Sequence, residues 1–269
     1  MKFDAKIINY VKDEIDYITF KKLEKFNLVQ AFTVDKRYSF RTDKFNKIRV
    51  LEEAEYQKSI SNYKKLCSML DIPIQNLVKV NQEHTSNIMI VKKVGLNIEE
   101  YKNCDGLITN KKGVILGTVS ADCIILFMYD PIKEVIANIH SGWRGSLEGI
   151  GLKAIEMMEK EFNSKIEDII ICFSPSIQRD CFLVDKDIRD IFYAKYNYLE
   201  NIEKIIKPKG NKWVIDTVLL NKTLFLKRGI KLSNMVFSNI CTKCNKDIMH
   251  SYRGSKGLGG LNTGLIMLK

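Results

Sequence analysis

The sequence predicts an α+β fold, a layered sandwich of mixed β-sheets with flanking helices. Short β-branched runs, bounded by Gly, Asp-Pro or Asn-Lys-Lys turns, crowd into the middle of the chain instead of alternating strictly with helices. Helical patterns, with apolar residues three and four apart, stand on either side of that region. Repeats of fixed short period, low-complexity tracts and Pro/Gly linkers are absent, and only four prolines occur, so residues 1–269 read as a single domain. With 45% hydrophobic and 28% charged residues, the chain can bury a sizeable core and carries no compositional mark of disorder.

Residues 1 to about 48 alternate apolar and charged groups in short runs, including a strand over Asn27 to Val34. A helix follows from Leu51 to Leu70, with Tyr56, Ile60, Tyr63, Leu66, Cys67 and Leu70 on one face, and the Asp71-Ile-Pro73 turn ends it. Central strands are expected at Leu77–Val80, Ser86–Val91, Val114–Val119, Ile124–Tyr129 and Val135–Ile139. After Ser141-Gly-Trp-Arg-Gly145 one helix should run to about Phe162, because Leu147, Ile150, Ala154, Ile155, Met158 and Phe162 share a face. Beyond it come a buried strand at Ile169–Phe173, a helix near Lys186–Tyr196, and a helix from Asp216 as N-cap to Arg228, with Gly229 as C-cap. Closing strands fall near Met235–Ser238 and Leu265–Leu268.

Composition narrows the function. The N-terminal segment spreads Lys and Asp through every turn, unlike a secretory signal. The longest apolar stretch, Gly113 to Tyr129, is broken by Asp122 and suits two buried strands better than a membrane span. Seven cysteines, an odd number and scattered apart from Cys241 and Cys244, point to a reducing, cytoplasmic setting. The net charge of +11 comes from dispersed Lys with no basic run, which disfavours a nucleic-acid partner while still steering anionic ligands such as phosphate.

Only three histidines are present, so each can be weighed alone. His84, Cys123 and His140 stand at predicted strand ends. Two imidazoles and a thiolate are ligand types that zinc prefers, and three protein ligands leave a fourth position for water or substrate. The spacing is too wide to decide between a metal site and satisfied core histidines beside a buried thiol. A Cys-His hydrolase, with Cys123 as nucleophile and His140 as base, is the rival use of two of the three.

The surrounding blocks occur in one order: Gln82-Glu-His84, Cys104-Asp-Gly-Leu-Ile-Thr109, Ala121-Asp-Cys123, Ile139-His-Ser-Gly-Trp-Arg-Gly145, Ser174-Pro-Ser-Ile177 with Cys181, Cys241-Thr242, and Ser251-Tyr-Arg253. This series resembles the purine nucleoside phosphorylase family first labelled multicopper polyphenol oxidase or laccase-domain proteins, also known as peptidoglycan editing factors. The resemblance covers roughly residues 75 to 269. It implies zinc (Zn2+) on His84, Cys123 and His140, which would also be the catalytic centre. It further implies phosphorolysis of adenosine, inosine and methylthioadenosine, deamination of adenosine, and an α+β sandwich. The chain departs from the family pattern near Ala31–Arg37, at Gly260-Leu261 and at Tyr252-Arg253-Gly254.

Phosphorolysis needs a cation for phosphate, and Arg144, between two glycines just before the predicted helix, is the candidate. Deamination needs proton transfer at the purine ring, for which Glu83 or Asp122 is placed; Asp122 could instead orient a ligand. Partners are thus purine nucleosides and phosphate, with no membrane. A multicopper oxidase is excluded, since coupled copper centres consume many imidazoles. Cytidine-deaminase chemistry lacks its His-x-Glu and Pro-Cys-x-x-Cys motifs here. Trp143 and Tyr252 could stack on a base, His250 reads as structural or as pocket rim, and Cys241 with Cys244 as structural, metal-binding or redox-active.

Overall fold

The computed structural model describes residues 4–42, 51–92 and 101–269, so positions 43–48 of the N-terminal strand region lie outside the described residues. Among the described residues the strands form two six-stranded sheets and one of three strands. The first sheet runs β1 (Ile8–Val11), β2 (Tyr17–Phe20), β3 (Leu28–Thr33), β15 (Asn262–Leu268), β7 (Ile115–Ser120) and β4 (Leu77–Lys79). The second runs β14 (Met235–Phe237), β10 (Ile170–Phe173), β8 (Ile124–Asp130), β9 (Val135–Ser141), β6 (Gly106–Thr109) and β5 (Ile88–Ile90). Both are mixed: β4 on β7, β5 on β6 and β10 on β14 are parallel, and the other pairs are antiparallel.

Strand alternation builds the layers. Along β8, Ile125, Phe127 and Tyr129 join Phe32, Leu116 and Ile266 of the first sheet in a core between the sheets. Ile124, Leu126 and Met128 point the other way, onto Ala154, Ile155 and Met158 of α4 (Ile150–Phe162) and Phe225 of α7 (Thr217–Arg228). On the far side, Leu265 and Met267 of β15 pack against Tyr63, Leu66 and Cys67 of α2 (Glu53–Met69). The order helix, sheet, sheet, helix is therefore dictated by period-two side-chain alternation meeting helical stripes. Each large apolar side chain buried in these layers contributes about 1.5–3 kcal/mol.

One polar side chain crosses the inter-sheet core. Asn138 of β9 donates from Nδ2 to the carbonyls of Leu116 and Gly264, each at 2.8 Å, and its Oδ1 accepts from Thr118 Oγ1 at 2.6 Å. All three partners lie in β7 and β15 of the opposite sheet. These three bonds offset the cost of taking the amide out of water.

The remaining helices are α1 (Lys21–Glu24), α3 (Trp143–Leu147), α5 (Lys186–Tyr196) and α6 (Ile202–Ile205). The last two pack beside the small sheet of β11 (Leu183–Val184), β13 (Lys212–Ile215) and β12 (Ile206–Lys209), sharing Phe192, Ile205 and Ile215 in one cluster. The caps of α7 match the sequence reading: Asp216 accepts from Leu219 N at 2.8 Å, and Gly229 ends the helix at φ 110°.

The segment after His140 departs from expectation. The helix starts at Trp143, not after Gly145, and Gly149 at φ 68° breaks it before α4 begins at Ile150. A left-handed residue cannot continue a right-handed helix. Tyr196 Oη fixes the break by donating to the free carbonyl of Leu147 at 2.7 Å.

Candidate metal centre

Two of the three candidate ligands lie where the chain crosses from one sheet to the other. His84 is on the connection from β4 to β5, and Cys123 on the connection from β7 to β8; His140 is the penultimate residue of β9. The topology thus brings residues 39 and 17 positions apart to one rim of the sandwich. Their ligating atoms all lie within 4.8 Å of one another. Cys123 Sγ is 3.9 Å from His84 Nε2, and the two imidazole rings meet edge to face at 5.0 Å. His140 is buried, Cys123 half-buried and His84 exposed, so the group opens to solvent on one side.

Asp105, which sequence reasoning did not single out, organises two of these residues. Its Oδ1 accepts from His140 Nδ1 at 2.8 Å and from His84 N at 3.1 Å, while Oδ2 accepts from Thr85 N at 2.6 Å, Thr85 Oγ1 at 2.8 Å and Glu83 N at 3.3 Å. His84 sits at φ 59°, a strained value for a residue with a Cβ, and the three backbone donors hold it there. With Nδ1 committed to a carboxylate, His140 presents Nε2 to Cys123. Burial alone would raise the pKa of Asp105, but the hydrogen bond and charge of His140, with the Thr85 donors, hold it below the usual carboxylate range.

Charge is also redistributed between the thiol and the imidazole. Burial opposes ionisation of Cys123, yet the His140 charge and the hydrogen bonds to both histidines prevail and lower it to about 6. Burial likewise opposes charging His140, but Cys123 and Asp105 raise it to about 10. Without a metal both shifts favour the thiolate and imidazolium form of the pair.

Asp122 serves Cys123 by position. Its carboxylate accepts from Thr242 Oγ1 and Ser251 Oγ at 2.6 Å each and from Arg253 N at 2.7 Å. Buried and held at φ 94°, it fixes the backbone turn that presents Cys123, and its oxygens are already engaged by internal donors. Of the two roles open to Asp122 in the sequence, this geometry suits orientation over proton transfer. Glu83, by contrast, is exposed beside His84.

A cleft of about 470 Å³ opens beside His84, the one member of the triad that lines it, together with Thr85, Asn87, Trp143, Arg144 and Ile191 among others. Arg144 is exposed in the first turn of α3, its guanidinium 4.2 Å above the Trp143 ring. Tyr252 is exposed. His250 is fixed as a neutral tautomer, Nε2 donating to Tyr38 O at 3.0 Å and Nδ1 accepting from Gly260 N at 3.1 Å. Burial, together with Lys36 and Arg41, lowers its pKa.

The donor set suits zinc: two imidazoles and one thiolate converge from rigid elements. Gly142 leaves the required space, since a Cβ there would lie 3.0 Å from His84 Cδ2 and 3.1 Å from Cys123 Sγ. Among the described residues no helix is long and apolar enough to cross a membrane.

Comparison with known proteins gives one consistent answer. The purine nucleoside phosphorylase YlmD of Bacillus subtilis (strain 168) is 26% identical over 216 residues, covering 78% of this chain and 77% of that protein. Adenosine deaminase RL5, from an unknown prokaryotic organism, is 26% identical over 205 residues, 74% of this chain and 76% of that protein. The crystal structure of the hypothetical protein YfiH of Bacillus licheniformis shares the fold, with a TM-score of 0.84 over 97% of this chain and 99% of that one at 23% identity. The family described as multi-copper polyphenol oxidoreductase laccase matches residues 36–269, although three histidines are too few for coupled copper centres. Matched over residues 36–269, which include every residue of the candidate centre, the chain belongs to this laccase-domain family.

Proposed function

We propose that the chain is a zinc-dependent purine nucleoside phosphorylase acting on adenosine, inosine and methylthioadenosine, with adenosine deaminase activity, in one domain spanning residues 1–269. The observation that carries this reading is the convergence of His84, Cys123 and His140 beside a cleft that also holds Arg144. The names of the relatives, a phosphorylase and an adenosine deaminase, supply the substrate class. Seven free thiols fit a reducing, cytoplasmic setting.

His84, Cys123 and His140 would hold the ion. When bound, zinc supplies a Lewis acid. Asp105 keeps the proton of His140 on Nδ1, away from the ion. Arg144, braced on Trp143, offers two guanidinium nitrogens to a phosphate entering the cleft. Glu83, at the exposed edge beside His84, is the carboxylate free to exchange a proton with solvent and substrate. The test is adenosine incubated with and without phosphate, beside a His84→Ala control, with products separated chromatographically. Adenine released only with phosphate and an intact triad supports phosphorolysis, inosine in either buffer supports deamination, and no turnover refutes the reading for this substrate.

One observation favours a second reading, a Cys-His amide hydrolase of the peptidoglycan-editing kind. Asp105, His140 and Cys123 form a carboxylate, imidazole and thiolate relay without any metal. Amide hydrolysis that survives metal stripping and is lost in Cys123→Ala would select it.

A further inference from the structure

We propose that Cys181, Cys241 and Cys244 form a second metal site, a three-thiolate position for a soft divalent ion of the zinc class. The three sulfurs lie within 4.8 Å of one another, and those of Cys181 and Cys244 are 3.5 Å apart. Ligand sulfurs about 2.3 Å from a tetrahedral ion stand about 3.8 Å from each other, so this spacing needs only small adjustment. A disulfide would use two of the sulfurs and strand the third.

The loops are built to bring the sulfurs together. Cys241 and Cys244 have the Cys-x-x-Cys spacing of zinc-binding turns, and the turn is closed by Asn245 N donating to Cys241 O at 3.2 Å and to Thr242 O at 3.1 Å. Cys181 ends a short 3-10 turn, Arg179–Cys181, in the loop after β10. The two loops are laced by Ser176 N to Ile240 O and Thr242 N to Ser176 O, each 3.1 Å. Burial opposes ionisation of Cys241, but the backbone N–H groups of Gln178 and Cys244, one from each loop, favour its thiolate and prevail. Cys244 is exposed, which leaves an entry path and a fourth position for water. On binding, the three thiols give up their protons to solvent.

The consequence reaches the first centre. Thr242 stands between the two loop cysteines and donates to Asp122, the residue before Cys123. An ion on the thiols would rigidify the loop that holds Asp122, while supplying no ligand to the first centre.

The test uses the full chain purified anaerobically and made metal-free under reductant. The protein is alkylated with iodoacetamide in the absence and presence of excess zinc, and each cysteine peptide is followed by mass spectrometry. The expected result is joint protection of Cys181, Cys241 and Cys244 by at least about tenfold, with Cys123 reporting the first centre separately. Equal alkylation with and without zinc overturns the proposal, and so does a Cys181–Cys244 disulfide in the anaerobic protein. Cobalt titration adds a second measurement. Wild type should bind two equivalents with thiolate-to-cobalt charge-transfer absorption, and Cys241→Ser one; an unchanged stoichiometry in a folded Cys241→Ser variant contradicts the site.

Discussion

Replacing Asp105 with asparagine probes how much of the metal centre rests on a single carboxylate. Its two oxygens accept five hydrogen bonds, two on Oδ1 and three on Oδ2. An amide must turn its NH2 toward one of these groups. If the NH2 faces His84 N and His140 Nδ1, one backbone N–H is orphaned, at a cost of about 1–3 kcal/mol. His140 must then accept at Nδ1, which moves its proton to Nε2, the nitrogen required for a metal. If the NH2 faces the other side, Thr85 Oγ1 can rotate to accept, but two backbone N–H groups are orphaned, at about 2–6 kcal/mol. Since small domains hold only about 5–15 kcal/mol in total, either outcome is measurable. The expected result is a 10- to 100-fold loss of zinc affinity, the usual scale for groups that orient metal ligands, together with a lower urea midpoint. Zinc affinity by chelator competition and unfolding by circular dichroism read the two arms. A variant that keeps both wild-type affinity and wild-type midpoint would refute the assignment of Asp105 as the group that sets the His140 tautomer.

Three further outcomes are expected. Gly142→Ala, whose Cβ would press on His84 and Cys123 while its φ of −66° suits alanine, should keep the fold but lower zinc affinity by about tenfold or more; calorimetric titration showing unchanged affinity contradicts this. In the metal-free protein the raised His140 stabilises the fold at low pH and loses that share as pH rises through about 10, while the lowered Cys123 loses its share as pH falls through about 6. Stability should therefore be level between about 6.5 and about 8.5 and fall on both sides; thiolate absorbance with a midpoint above 8 would be inconsistent with the pair. Asn138→Ala removes three buried hydrogen bonds between the sheets and should destabilise by about 2–4 kcal/mol in urea unfolding; a change below about 1 kcal/mol would show the crossing bonds to be dispensable.

Much of the architecture was legible because it follows from local periodicity. The stripe Tyr56 to Leu70 and the Asp216 and Gly229 caps locate α2 and α7 within two residues. β6 escaped because all four of its residues are buried, so Gly106–Thr109 shows no alternation, only a block of familiar wording. The β12–β13 hairpin escaped because its exposed lysines hide the strand pattern, although Gly210 at φ 62° was a turn signal. At the candidate centre, ligand chemistry singles out His84, Cys123 and His140 because histidine is scarce here. Asp105 and Cys181 were harder: an aspartate before glycine looks like any turn residue, and nothing local ties Cys181 to a pair sixty positions away.

The amide of Asn138 can also be seen as a latch against shear. Stacked sheets deform most easily by gliding over one another, since their apolar faces grip without direction. His84 and Cys123 ride on crossovers between the sheets, whereas His140 belongs to one sheet, two residues beyond Asn138 on the same face of β9. Any glide would pull on the two crossover loops from one end, while Asp105 and the pairing of β8 with β9 tie His84 and Cys123 to the sheet that holds His140. A side chain outside the triad thereby keeps shear between the sheets from loading the loops that carry two of its members.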